Sequence, residues 1–193
     1  LLCAGGIGYR ALTLTGISNG DVLGLTGFGG SAHIVLQLVR RLYPDTDVYV
    51  FARTPETREF ARQLGAAWSG SIEARPPKPP DAIIDTTPAW QPVLAALRCL
   101  RPGGRLVVNA IRKEDTDKPL MAGIDYAAHL WKEKELKTVA NITARDLATF
   151  LGLAVRAGIH PQVRTWPLEE ANAALRDLHS GRIRGAHVLS IAR

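Results

Sequence analysis

Val22-Leu23-Gly24-Leu25-Thr26, then Gly27-Phe28-Gly29-Gly30-Ser31-Ala32, then Ile34, Val35, Leu38, Val39 and Leu42 at helical spacing form the run that decides the fold. A short apolar run suits a buried strand, a glycine cluster suits a turn, and the three-and-four spacing suits a helix with one apolar face. The pattern G-x-G-x-x-G/A lies between strand and helix, where a dinucleotide-binding motif requires it. Gly27 allows the tight turn. Gly29 lets the backbone approach a pyrophosphate with no Cβ in the way, and Ala32 is small enough for the helix to pack closely on the strand. Phosphates would sit at the helix start, where free N–H groups and the macrodipole favour negative charge. A glycine-rich turn with no ligand is the bland alternative, and the strand–turn–helix context outweighs it.

Outward from this unit the chain alternates. Residues 4–15 have helical spacing, with Ile7, Ala11 and Leu14 on one face, and Asn19-Gly20-Asp21 marks a turn. Val48-Tyr49-Val50-Phe51 reads as a second strand, and a helix runs from Pro55 through Leu64 to a stop at Gly65. Asp81-Ala82-Ile83-Ile84-Asp85 is a strand, residues 91–101 a helix ended by Pro102-Gly103-Gly104, and Arg105-Leu106-Val107-Val108-Asn109 a strand. Further strands are expected at 135–140, 162–166 and 186–191, with helices over 144–157, capped by Thr143, and 168–179. Nearly all-apolar strands alternating with helices predict a parallel sheet covered on both faces. The expected fold class is α/β, a Rossmann-type doubly wound sheet.

Composition agrees with this. The 193 residues suit one domain and can bury a core, and 46% apolar content with mixed charge excludes disorder. No stretch of 18 uncharged apolar residues offers a membrane span. Cys3 and Cys99 are too few for a disulfide framework, which points to the cytoplasm. The net charge of +6 is scattered, with local density only at Arg40-Arg41 and Arg182-Ile183-Arg184, so a solvated basic surface is expected rather than nucleic-acid binding. The chain opens Leu1-Leu2-Cys3-Ala4-Gly5-Gly6, with no Met and no signal-like leader, and this start predicts that the chain is a piece of a longer one.

The end of the second strand bears on cofactor choice. NAD-binding units usually place Asp or Glu there, for the ribose 2′-OH. Here Ala52 stands at that place, followed by Arg53, Thr54 and, one helical turn on, Arg58. A guanidinium and a hydroxyl suit a 2′-phosphate, so NADP(H) is favoured over NAD(H).

Leu2-Cys3-Ala4-Gly5…Gly8-Tyr9-Arg10-Ala11, the Gly27–Ala32 loop, Leu97-Arg98…Leu100-Arg101-Pro102-Gly103-Gly104 and Val139-Ala140-Asn141-Ile142-Thr143-Ala144-Arg145-Asp146 occur in this order. Pro167-Leu168-Glu169-Glu170-Ala171-Asn172 and Gly181-Arg182-Ile183-Arg184-Gly185 follow. Together they resemble the zinc-dependent alcohol dehydrogenases of the medium-chain dehydrogenase/reductase superfamily, across effectively the whole chain. The resemblance implies hydride transfer between an alcohol or aldehyde and a nicotinamide, with zinc as Lewis acid. It also implies that a barrel-like catalytic domain precedes this chain, so that the chain alone would be inactive and would hold no stable zinc.

On this resemblance residues 1–160 form the dinucleotide-binding domain, and 161–193 a segment that packs against the catalytic domain. Cys3 matches a catalytic-zinc ligand of the complete enzyme, while no catalytic residue is assigned within this chain. Asn109, Ala110 and Ile111 lie along the nicotinamide, joined by Asn141. Family members pair through edge strands of this domain, so a homo-oligomer is implied. Two departures stand out: the acidic ribose ligand is absent, and Ala186 stands where many relatives carry an Arg that reaches the pyrophosphate, with Arg184 as its possible substitute.

The remaining polar residues read as structural. Cys99 is expected as a buried thiol, His33 as half-exposed helix surface beside the glycine loop, and Glu169-Glu170 as first-turn helix charge. A stand-alone nucleotide-binding or regulatory module is the alternative reading. An S-adenosylmethionine-dependent methyltransferase would want an acidic residue where Ala52 stands.

Overall fold

A computed structural model describes residues 2–181 and 184–191; Leu1, Ala192, Arg193 and the Arg182-Ile183 part of the basic stretch lie outside the described residues. The first element is helix α1 (Leu2–Thr15), followed by β1 (Val22–Thr26), α2 (Ala32–Leu42), β2 (Asp47–Phe51), α3 (Pro55–Gln63) and β3 (Trp68–Gly70). The second half of the sheet comprises β4 (Ala82–Asp85), α4 (Gln91–Cys99), β5 (Arg105–Val108), β6 (Glu135–Thr138) and α5 (Ala144–Arg156). The chain closes with β7 (Val163–Pro167), α6 (Ala171–His179) and β8 (Ala186–Ser190).

Six strands form one parallel sheet in the order β3-β2-β1-β4-β5-β6. Two crossovers in opposite directions leave β1 and β4 side by side, paired from Leu23↔Ala82 to Thr26↔Asp85. This is the Rossmann order, and its switch point lies between those two strands, outside whose carboxyl ends such sheets bind ligands. The expected α/β doubly wound class is what the chain adopts.

The apolar runs explain why. Leu23, Leu25, Val48, Val50, Ile84 and Val107 pack on one face, with Ala11, Leu12, Val35, Leu38 and Phe150 of the helices. Ile83, Leu106 and Val108 point to the other face, against Val93, Ala96 and Leu97 of α4. Successive side chains of a strand face opposite ways, so only a strand apolar at every position can be covered on both sides. Thr143 caps α5 as expected: its hydroxyl accepts from the Asp146 N–H at 3.1 Å, and Asp146 returns the bond to the Thr143 N–H at 2.9 Å. A cap of this kind contributes about 1 kcal/mol.

Three features depart from the sequence expectation. β3 is an added edge strand of three half-buried residues, too short to carry a pattern. The stretch between β5 and β6 folds into a 3₁₀ turn (Lys118–Gly123) and a π turn (Tyr126–Leu130), where continuous structure was not foreseen. The expected helix over 168–179 divides into a 3₁₀ turn at Leu168–Glu170 and α6, with β7 and β8 flanking it as a separate parallel pair. Glu169 and Glu170 occupy that turn, ahead of the helix. Among the described residues, no helix is long and apolar enough to cross a membrane.

Candidate functional site

The carboxyl ends of β1, β2, β4 and β5 surround a cleft of about 1010 Å³. The glycine turn forms its floor. Gly27 has φ +78°, and a Cβ there would meet Thr86 Oγ1 at 2.9 Å and Thr87 Cγ2 at 3.0 Å, so the turn needs glycine on both counts. Gly29 differs: a Cβ there would meet no atom within 4 Å, because that face opens into the cleft. α2 starts without a side-chain cap, since the Ser31 hydroxyl donates to Ala4 O at 2.5 Å instead. The His33 and Ile34 N–H groups of its first turn donate to Gly29 O at 3.2 Å and Ser31 O at 3.1 Å, and the start of the helix, with its positive dipole end, borders the cleft and favours an anion there.

Of the residues singled out by sequence, Gly27, Phe28, Gly29, Gly30, Ser31, Arg53, Thr54, Asn109, Ile111, Asn141 and Cys3 line this one cleft. Ala32, Arg58 and Ala110 do not. Ala32 is buried under the turn, and Arg58 Nη1 donates to Ala52 O at 3.4 Å, bracing the end of β2. The Phe28 ring is buried and packs edge-on against Phe60, with centroids 5.5 Å apart. Thr54 accepts from the Thr57 N–H at 3.2 Å and so caps α3, with its side chain exposed at the rim beside Arg53. Asn141 Oδ1 accepts from the Ile142 N–H at 2.8 Å. Arg184 places its guanidinium 5.8 Å from the Phe60 ring centroid.

Sequence reasoning missed the other wall. Thr86, Thr87, Pro88, Ala89 and Gln91 follow β4 and face the glycine turn, with Glu114 beside them. Beneath them Asp85, fully buried, accepts from Thr26 Oγ1 at 2.6 Å and Thr87 Oγ1 at 2.8 Å, and its second oxygen pairs with Lys113. Lys113 Nζ also donates to Thr87 O at 2.8 Å and Ala89 O at 2.9 Å. The segment carrying Lys113 is held further by Glu114 N donating to Pro88 O at 2.8 Å, and by Asp117, whose carboxylate accepts from the Trp90 and Gln91 N–H groups. The bond from Gln91 N–H leads in holding the Asp117 carboxyl below the usual carboxylate range. Polar residues at the end of a strand next to the switch point were the available signal.

His33 corrects an expectation. It is not half-exposed surface but fully buried, with both ring nitrogens bonded to backbone. Burial pushes its ring below the ordinary 6.5, against the opposing pull of the Gly29 and Gly30 carbonyls. In the unfolded chain the ring protonates near 6.5, and in the folded chain only at lower pH. Its contribution to stability is therefore complete above about pH 6.5 and is lost as pH falls through the folded value. Denaturant unfolding at pH 7.5 and 5.5 should show a larger loss of stability for the parent than for His33→Asn. Equal losses would contradict this account.

Cys3 is exposed at the cleft, and Cys99 is half-buried, with burial pushing its thiol up to about 11. A tetrahedral zinc site needs three or four protein ligands. Among the described residues no group of three His, Cys, Asp or Glu side chains converges to hold a metal. Cys3 places a single thiol donor at the cleft.

Fold and cleft together define a Rossmann-type protein with an anion-ready glycine turn at its switch point. A family model described as zinc-binding dehydrogenase matches residues 61–189, and the chain belongs to that family. The curated Mycobacterium tuberculosis (strain CDC 1551 / Oshkosh) protein named "Probable alcohol dehydrogenase AdhA" is 40% identical over 191 residues, 99% of this chain and 53% of that protein. The solved alcohol dehydrogenase of the hyperthermophilic archaeon Aeropyrum pernix superposes with a TM-score of 0.82 at 20% identity, over 98% of this chain and 56% of that one. The CAD of Helicobacter pylori complexed with NADP(H) superposes with a TM-score of 0.79 at 19% identity, over 98% of this chain and 53% of that one. The chain thus spans about half the length of the curated relative it matches.

Proposed function

We propose that this chain is the NAD(P)-binding part of a zinc-dependent alcohol dehydrogenase, which passes hydride between an alcohol or aldehyde and the nicotinamide. The observation that carries this reading is the Gly29 face, open to the cleft at the start of the uncapped α2, in a chain of the zinc-binding dehydrogenase family. In this reading the pyrophosphate lies over Gly29-Gly30-Ser31. The adenosine lies between Arg53-Thr54 and Thr86-Thr87, and the nicotinamide beside Asn109, Ile111 and Asn141. Ala32, Arg58 and Ala110 act from behind these contacts. Zinc supplies Lewis-acid chemistry at the alcohol oxygen, and Cys3 is the one ligand this chain contributes. The chain's own residues bind and orient the dinucleotide.

Residues 1–160 are the cofactor domain and 161–193 the segment that packs on a catalytic half; Val163, Val188, Leu189 and Ile191, all exposed, support that packing. The exposed Leu120, Tyr126, Leu130 and Trp131, near the edge strand β6 with its exposed Leu136, support a homo-oligomer through this domain. Two free cysteines fit a cytoplasmic place.

Cofactor choice gives a direct test. Arg53 and Thr54 at the rim favour NADPH, and Arg53→Ala should weaken NADPH binding roughly tenfold while leaving NADH within about twofold. An unchanged ratio of the two affinities in calorimetric titrations would remove the 2′-phosphate argument. The product of the whole gene should oxidise simple alcohols with NADP⁺, and a product that binds the dinucleotide but oxidises none would favour a regulatory module.

A further inference from the structure

His33 and Gln37, one turn apart on α2, both grip the segment that leads into β7. His33 Nε2 accepts from the Gln162 N–H at 3.2 Å, which requires that nitrogen to be unprotonated and places the ring proton on Nδ1. Nδ1–H then donates to Gly29 O at 2.9 Å, a carbonyl that also accepts from the His33 N–H at 3.2 Å. Gln37 spans His160 from both sides, with its Oε1 accepting from His160 N–H at 3.1 Å and its Nε2 donating to His160 O at 3.2 Å. Gln162 O in turn accepts from Ala186 N–H at 2.9 Å, where β8 starts. One fully buried ring thus joins the Gly29 peptide to the two-stranded unit at the end of the chain.

We propose that His33 is a positioning residue that sets the Gly29–Gly30 peptide for a dinucleotide pyrophosphate and couples occupancy of the cleft to docking of the segment from His160 to β8. The proposal rests on the reading of the glycine turn as a dinucleotide site. The neutral ring fixes the Gly29 carbonyl away from the cleft and so aims the following N–H toward it. Through its other nitrogen, the same ring makes the order of that turn depend on the order of the 160–162 segment. Ligand that orders the turn therefore protects Gln162.

The two bonds can be separated. The amide nitrogen of Asn occupies the place of imidazole Nδ1 and the amide oxygen of Gln that of Nε2, so His33→Asn retains the donor to Gly29 and His33→Gln the acceptor for Gln162. Affinity of the full chain for NAD⁺ and for ADP-ribose is measured by calorimetry at pH 7.5, together with melting temperature and amide hydrogen exchange at Gln162. His33→Asn should bind within about threefold of the parent but exchange faster at Gln162, with no added protection on NAD⁺ binding. His33→Gln should keep Gln162 protected yet bind at least about tenfold more weakly, a loss of about 1.4 kcal/mol. Equal affinity of parent and His33→Gln, or losses in both variants that merely follow melting temperature, would overturn the proposal. A parent that binds neither probe would instead overturn the dinucleotide reading, and the proposal with it.

Discussion

Gly29→Val should leave the melting temperature of the chain within about 2 °C of the parent and weaken dinucleotide binding by roughly a hundredfold, about 2.7 kcal/mol. The fold tolerates it because a Cβ at Gly29 meets nothing within 4 Å, and the backbone there lies outside the left-handed region. The ligand does not, because the added branch occupies the space a pyrophosphate needs against the start of α2. Gly27→Ala makes the contrast: its Cβ would press on Thr86 and Thr87 from a backbone at φ +78°, so stability falls together with binding. Circular-dichroism melts and calorimetric titration on both variants separate the two roles. A Gly29→Val chain that binds as the parent does would place the ligand elsewhere.

Lys113→Met should cost about 3–5 kcal/mol and lower the melting temperature by roughly 10 °C, because it leaves the Asp85 carboxylate buried and unpaired. Asp85 is 0% exposed and the Lys113 side chain 10%, so water cannot take over the pairing. The variant also frees the carbonyls of Thr87 and Ala89 from their shared donor, and with them the wall that faces the glycine turn. Asp85→Asn/Lys113→Met should recover most of the loss, since an amide can still accept from Thr26 and Thr87 without carrying charge. Exposed pairs such as Arg62–Glu59, with half of each side chain in water, should give less than about 1 kcal/mol when broken. A Lys113→Met protein melting with the parent would show that this pair does not hold the wall.

The central strands were legible because burial on both faces demands an apolar residue at every position, as in Leu23, Leu25, Ile83 and Ile84. The glycine turn was legible because its chemistry requires particular small residues at fixed spacing. β3 was not, since Trp68-Ser69-Gly70 is three residues long, and what holds it at the sheet edge is its pairing with β2 and the packing of the Trp68 ring on Tyr49 and Phe51, none of which leaves a local pattern. The 3₁₀ and π turns between β5 and β6 depend on contacts such as Lys134 Nζ donating to Leu97 O at 2.6 Å and Ala128 O at 2.9 Å, pairings that no local pattern announces. The burial of His33 is illegible for a related reason. Its burial comes from the segment at 160–162, far along the chain, while its local spacing beside a surface turn suggested exposure. The wall at Thr86–Ala89 follows from topology: only once β4 is known to lie beside β1 do residues after Asp85 fall opposite the glycine turn.

The most direct measurement is a thermal-shift titration of this chain with NADPH, NADH and S-adenosylmethionine in parallel. A ligand that binds only the folded state at a hundred times its dissociation constant adds about 2.7 kcal/mol, or roughly 5–10 °C for a chain of this size. A concentration-dependent rise is expected with both dinucleotides, larger with NADPH, and none with S-adenosylmethionine. No rise with either dinucleotide, or a rise with S-adenosylmethionine alone, would contradict the dinucleotide reading.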